Sequence, residues 1–288
     1  MIGFSCGDQS WAPLPHQSAV ELIALLGFEA IDLVLGVNPR HLLASDVAVR
    51  PSSLAAELAP LLERHSLRVA DVFVGPLGDF ETLAPNHPDE SQLAESRELF
   101  LAVVEFAEAL GSPGITQVPG LSWPGEVPEQ SLQRAVDELS ARADLASARG
   151  LGYSIEAHLG SVVEDIALFR VLLEAVPSLD LTLDPSHLQA QGVEVPMYSD
   201  LFLRTRHLHM RGAKDDRPQV AMSDNEIDLS ALAGAMLDAH YQGCVCLEYV
   251  CVDWRRCNEC DVLTETLLLR DALRVALDGT DGLIISAD

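Results

Sequence analysis

Eight short apolar or β-branched runs recur along the chain. They are IGFSCG (2–7), AIDLVLG (30–36), RVADVFVG (68–75), GITQVPG (114–120), GYSIEAH (152–158), LDLTLDPSH (179–187), TRHLHMRGA (205–213) and CVCLEYV (244–250). Their length, and the Gly, Pro and Asp residues that punctuate them, predict strands. Between them the apolar positions shift to helical spacing. SAVELIALLGF (18–28), PSSLAAELAPLLERHS (51–66), SRELFLAVVEFAEALG (96–111), PEQSLQRAVDELSARADLASARG (128–150), VVEDIALFRVLLEAV (162–176), DLSALAGAMLDAHYQG (228–243) and DVLTETLLLRDALRVALDG (261–279) are the expected helices. Pro51 and Pro128 are start signals, and Gly111 and Gly150 are stop signals. The connection around 190–204 is weakly patterned, with a short helix expected near Tyr198–Arg204.

Strands that alternate with helices pair in parallel, and the helices cover the sheet. An open doubly wound sheet is one solution. The length and the count of eight fit a closed (β/α)8 TIM barrel better, as a single domain over residues 1–288. No linker or low-complexity stretch divides the chain, and neither GxGxxG nor the phosphate-loop pattern occurs. The loop GPLGDFETLAPNHPDES is long and Pro-rich, either a lid or a solvated connection.

Side chains alternate between the two faces of a strand. In the fifth strand Ser154, Glu156 and His158 oppose Ile155 and Ala157. In the sixth, Asp180, Thr182 and Asp184 oppose Leu181 and Leu183. In the seventh, Thr205, His207, His209 and Arg211 oppose Leu208 and Met210. In the eighth, Cys244, Cys246 and Glu248 oppose Val245, Leu247 and Tyr249. The apolar face packs on helices. The polar face then points into the barrel, with its ionisable groups toward the C-terminal end where barrel active sites lie. Asp184 closes the sixth strand on that inner face, Pro185 stops the ladder, and His187 falls in the next turn, within reach of the barrel mouth.

Glu156, Asp184, His209 and Glu248 thus come from four consecutive strands. Buried carboxylates need partners, and three crowded together repel. A divalent cation removes the conflict. Three carboxylates and one imidazole suit Mn²⁺, Mg²⁺ or Co²⁺, and Zn²⁺ also fits. Trp123, in PGLSWPG, is placed either to wall a sugar pocket or to anchor its own loop.

Charge narrows the partners. With 44 Asp+Glu against 18 Lys+Arg the net charge is −26, which opposes nucleic-acid binding. Lys214 is the sole lysine and sits among polar neighbours in GAKDDRP, a poor place for Schiff-base chemistry. No signal peptide or membrane-length apolar run is apparent, so a soluble cytoplasmic protein is expected. The six cysteines are expected to be reduced and structural; Cys257 and Cys260 have CxxC spacing, but no second pair is spaced for a zinc knuckle.

The segments IEAHLGS, LTLDPSHL, HLHMRGA and CLEYV, and the tail DWRRCNECDVLTETLLLRDAL, together resemble the xylose isomerase-like superfamily of TIM barrels, the sugar phosphate isomerase/epimerase group. The resemblance is strongest over residues 150–275. It implies that Glu156, Asp184, His209 and Glu248 bind one metal ion, and that Glu156 and Glu248 are acid and base on opposite faces of a sugar. It further implies that His187 contacts a substrate oxygen, with His158 beside it, and that an arginine, Arg211 or Arg217, binds substrate.

The expected chemistry is proton transfer through an enediolate on a small sugar or polyol, giving isomerisation or epimerisation. Dehydration of a keto-polyol such as an inosose shares that intermediate and is the alternative. An AP-endonuclease-like activity is disfavoured, because the second to fourth strands end in DLVLG, DVFVG and TQVPG without histidine. A homodimer is allowed.

Overall fold

A computed structural model of the protein describes residues 2–37, 41–75, 80–82 and 84–284, with side chains as far as 279. Nine strands lie among the described residues: β1 Gly3–Gly7, β2 Ala30–Gly36, β3 Leu42–Leu43, β4 Arg68–Val74, β5 Gly114–Gln117, β6 Gly152–Glu156, β7 Asp180–Leu183, β8 Thr205–Met210 and β9 Cys244–Leu247. Their order is β1-β9-β8-β7-β6-β5-β4-β2-β3, with β1 also paired to β2. The pairing β1–β2 closes eight parallel strands into a barrel with flanking helices, the TIM-barrel architecture, and β3 is a two-residue addition beside β2.

The boundaries follow local chemistry. Pro51, Pro128 and Pro185 each open a helix, where a missing N–H costs nothing. Asp89, Asp165 and Asp228 cap the helices Glu90–Ala109, Ile166–Ala175 and Leu229–Asp238 by accepting backbone N–H bonds. Gly111 and Gly150 follow helix ends at φ 65° and 74°, a conformation that side chains with a Cβ resist.

Several elements depart from the sequence pattern. The fourth-strand approach begins at Glu90 rather than at Ser96, because Asp89 supplies a cap upstream of the apolar stripe. Residues Ala44–Val49 form a helix that the pattern did not announce. The weak connection contains a helix Pro185–Gln189 and two 3-10 turns, Val195–Met197 and Ser199–Arg204. The Pro-rich loop falls partly on residues 76–79 and 83, which lie outside the described residues.

The chain divides into two compact units, Ser5–Thr182 and Met1–Phe4 with Leu183–Asp288. In the first, Val34, Phe73 and Val118 pack together, with Phe80 against them. Its register sets Asp32 beside Asp71 and Glu156 beside Thr182. In the second, β8 and β9 pair with His209 beside Cys246 and Met210 beside Leu247. Leu208, Met210, Val245 and Leu247 are fully buried or nearly so, each stabilising the fold by about 1.5–3 kcal/mol. Among the described residues no helix is long and apolar enough to cross a membrane.

Candidate active site

In the unit that begins at Leu183, the strand-to-helix corner after β7 is built around Asp184. Its Oδ1 accepts the Ser186 N–H at 2.8 Å and the Ser186 hydroxyl at 2.5 Å, capping the helix Pro185–Gln189. Its Oδ2 accepts from Arg211 Nη2 at 3.3 Å. Arg211 also donates to Ser186 Oγ at 3.2 Å and meets His187 Nε2 at 3.1 Å. His187 Nε2 also stands 3.4 Å from Asp184 Oδ2, between a donor and an acceptor. Asp184, His187 and Arg211 are all buried. Tyr198 is buried too; desolvation, helped by the nearby Asp184 charge, pushes its phenol well above the usual range.

His209 is the penultimate residue of β8, and Glu248 follows β9 directly, its backbone N–H bonded to Met210 O at 3.0 Å. His209 Nδ1 stands 3.3 Å from Glu248 Oε2, with both side chains buried. Tyr249, next in sequence, turns to the other side, where its hydroxyl donates to Val220 O at 3.0 Å and accepts the Gly212 N–H at 2.8 Å. The strand alternation that separates Glu248 from Tyr249 is therefore realised.

In the unit Ser5–Thr182, Glu156 ends β6 and is 1% exposed. Below it lies a buried trio of hydroxyls: Thr116 Oγ1 is 2.6 Å from Thr182 Oγ1, which is 2.8 Å from Ser154 Oγ. These come from β5, β6 and β7, so the polar faces of adjacent strands do meet. His158 lies just beyond the strand; its Nδ1 is 2.7 Å from Leu159 O and its ring packs near Phe80. The carbonyl there can only accept, so that nitrogen carries the proton.

The other anticipated substrate contacts have local duties. Trp123 Nε1 donates to Asn86 Oδ1 at 3.1 Å and its ring meets His87 edge-on. Arg217 donates to Glu259 Oε2 at 3.1 Å and is paired with the turn after β9. Cys257 is buried and Cys260 half-buried, both as free thiols, and burial pushes both above the usual thiol range.

A model of the xylose isomerase-like TIM barrel matches residues 20–275. The chain belongs to that family. Solved xylose isomerase-like barrels with the same fold include an L-ribulose 3-epimerase, 17% identical over 100% of this chain and 99% of the other, at a TM-score of 0.76. A D-psicose 3-epimerase with D-tagatose from Clostridium cellulolyticum H10 is 16% identical over 96% and 99%, at 0.76. An IOLI protein with a binding zinc atom is 17% identical over 96% and 99%, at 0.72. No curated protein matches this member of the family.

Sequence reasoning overlooked two polar sets of this barrel. Asp32 and Asp71 are cross-strand partners, both buried, with Ser5 Oγ donating to Asp32 Oδ1 at 2.6 Å. Their signal was an acid inside each otherwise apolar run, AIDLVLG and RVADVFV. Asp8, His16 and His41 form the second set: Asp8 opens a 3-10 turn, His16 opens a helix and His41 directly precedes β3, with no periodicity to join them.

Proposed function

We propose that the protein is a divalent-metal-dependent isomerase or epimerase of a sugar or polyol. Glu156, Asp184, His209 and Glu248 hold the ion, and Glu156 and Glu248 are the acid and base. The observation that carries this reading is the 3.3 Å separation of His209 Nδ1 and Glu248 Oε2, buried at the ends of neighbouring strands. An imidazole and a carboxylate this close and this buried are the residues that would hold such an ion. Glu156, His209 and Glu248 supply two carboxylates and an imidazole, a donor set suited to a divalent cation. Barrels of this kind carry their chemistry at the C-terminal strand ends, where all four residues fall in sequence. Relatives named as sugar 3-epimerases, and one named for its zinc atom, support the same choice.

The ion, Mn²⁺ or Mg²⁺ by preference and Co²⁺ or Zn²⁺ by donor chemistry, would act as a Lewis acid on a substrate carbonyl. The side chains do the proton work. One glutamate takes the proton from the carbon beside the carbonyl. Return of that proton to the neighbouring carbon isomerises the sugar, and delivery by the other glutamate to the opposite face epimerises it. His187 contacts a substrate oxygen, and His158 is a second contact. Arg211, which also braces Asp184 and His187, is the arginine of this reading that contacts substrate, with Arg217 and Trp123 as the other candidate contacts.

A screen of ketoses and inosose-type polyols, in EDTA and then with Mn²⁺ or Mg²⁺ restored, tests the proposal. Metal-dependent interconversion of a ketose is the expected result. Turnover undiminished in metal-free protein would overturn it, and an ultraviolet-absorbing enone or diketone product would reassign the reaction to dehydration.

A further inference from the structure

A second polar cluster lies where β1 and β2 end, the catalytic side of a barrel. Asp8 is 1% exposed, and its Oδ1 accepts the Val34 N–H at 3.1 Å. Its Oδ2 is in ion-pair contact with His16 Nε2 at 3.2 Å, and neither atom has a hydrogen bond. The ring of His41 stacks on His16 at 4.7 Å with 9° between planes, and its buried Nε2 also lacks a hydrogen bond. Each such atom costs about 1–3 kcal/mol when left dry. Three side by side describe a place for a ligand, and the 19% exposure of the His16 side chain leaves a way in.

The ring geometry argues against a cation. An imidazole binds metal in its own plane, and two nearly parallel stacked rings do not aim at one ion. Burial holds His41 below the usual histidine range, so its ring is neutral and carries one N–H donor and one lone pair. A carboxylate oxygen and an imidazole lone pair both call for O–H donors, and the buried charge of Asp8 repels a phosphate.

We propose that Asp8, His16 and His41 form a hydroxyl-binding subsite that grips neighbouring hydroxyls of an unphosphorylated polyol substrate and rejects its phosphate ester. This rests on the reading of the protein as a sugar-transforming enzyme.

Histidine-labelled protein, with the His16 and His41 ring signals assigned through His16→Gln and His41→Gln, reports on the site directly by NMR. Titration with a free ketohexose, an inosose and a ketohexose 6-phosphate is the experiment. Saturable shifts of both rings with a free polyol are expected, with binding at least about tenfold weaker for the phosphate ester. Asp8→Asn keeps the acceptor for Val34 and is expected to weaken polyol binding about tenfold, the loss of one hydrogen bond to a charged group. His41→Gln gives the same readout should Asp8→Asn fail to fold. Silent rings with every polyol, or equal binding of the phosphate ester, would each overturn the proposal. Turnover with silent rings removes only the subsite, whereas ring shifts without turnover or metal dependence remove only the parent reading.

Discussion

Replacing Arg211 by Met asks whether the guanidinium holds the Asp184 corner together. The Arg211 side chain is 4% exposed and that of Asp184 1% exposed. Methionine keeps much of the volume but removes the charge and the contacts to Ser186 Oγ at 3.2 Å, Asp184 Oδ2 at 3.3 Å and His187 Nε2 at 3.1 Å. Removing one partner of a buried ion pair costs about 3–5 kcal/mol. The lower end applies here, because Asp184 Oδ1 keeps the amide and hydroxyl of Ser186. At about 2 °C per kcal/mol for a chain of this size, Tm falls by about 6 °C. Scanning calorimetry in EDTA measures that fall. Excess Mn²⁺ is expected to recover part of it, since a cation on the proposed ligands compensates the carboxylate in place of the guanidinium. Arg211→Lys does not restore the corner, because one ammonium cannot serve three partners in a planar fork. A loss under about 1 °C in metal-free protein would refute the reasoning.

Three further outcomes are expected. Glu156→Gln and Glu248→Gln each lower kcat by about 10²–10⁴-fold, the usual contribution of a general acid or base, while the far-ultraviolet circular dichroism stays native; wild-type turnover in either would remove that residue from catalysis. Cys6, fully buried with its thiol pushed up to about 12 by desolvation, holds its proton in the folded chain above pH 9, where an unfolded thiol loses it. The unfolded state then binds fewer protons, so stability falls as pH rises from about 9 toward 12, and the denaturation curves of Cys6→Ala are expected to fall less steeply than those of the native chain. Exposed Cys251 is expected to react with a thiol reagent in the native state while Cys6 reacts only on unfolding, as mass mapping of the labelled protein would show.

The barrel was legible because its signal repeats. Each strand carries the same apolar-to-polar alternation, and the inner-face assignments of Ser154, Thr182 and Glu248 are matched by the hydroxyl trio and by the opposite turn of Tyr249. Asp184 was legible as a strand terminator followed by proline. Its capping of Pro185–Gln189 was not, because five residues are too few to show a period. The hydrogen bonds of Arg211 to Asp184 and of Trp123 to Asn86 were equally hidden, because those partners lie far away in the sequence. Asp8 and His16 open a 3-10 turn and a helix and His41 precedes β3, so no spacing announces them as neighbours.

The most direct measurement is Mn²⁺ binding to EDTA-stripped protein by calorimetry or paramagnetic resonance. The account predicts one ion per chain, with affinity reduced by at least about tenfold when Glu156, Asp184, His209 or Glu248 is replaced singly. A native, fully folded chain that takes up no divalent ion, or binds it unchanged in all four variants, would contradict it.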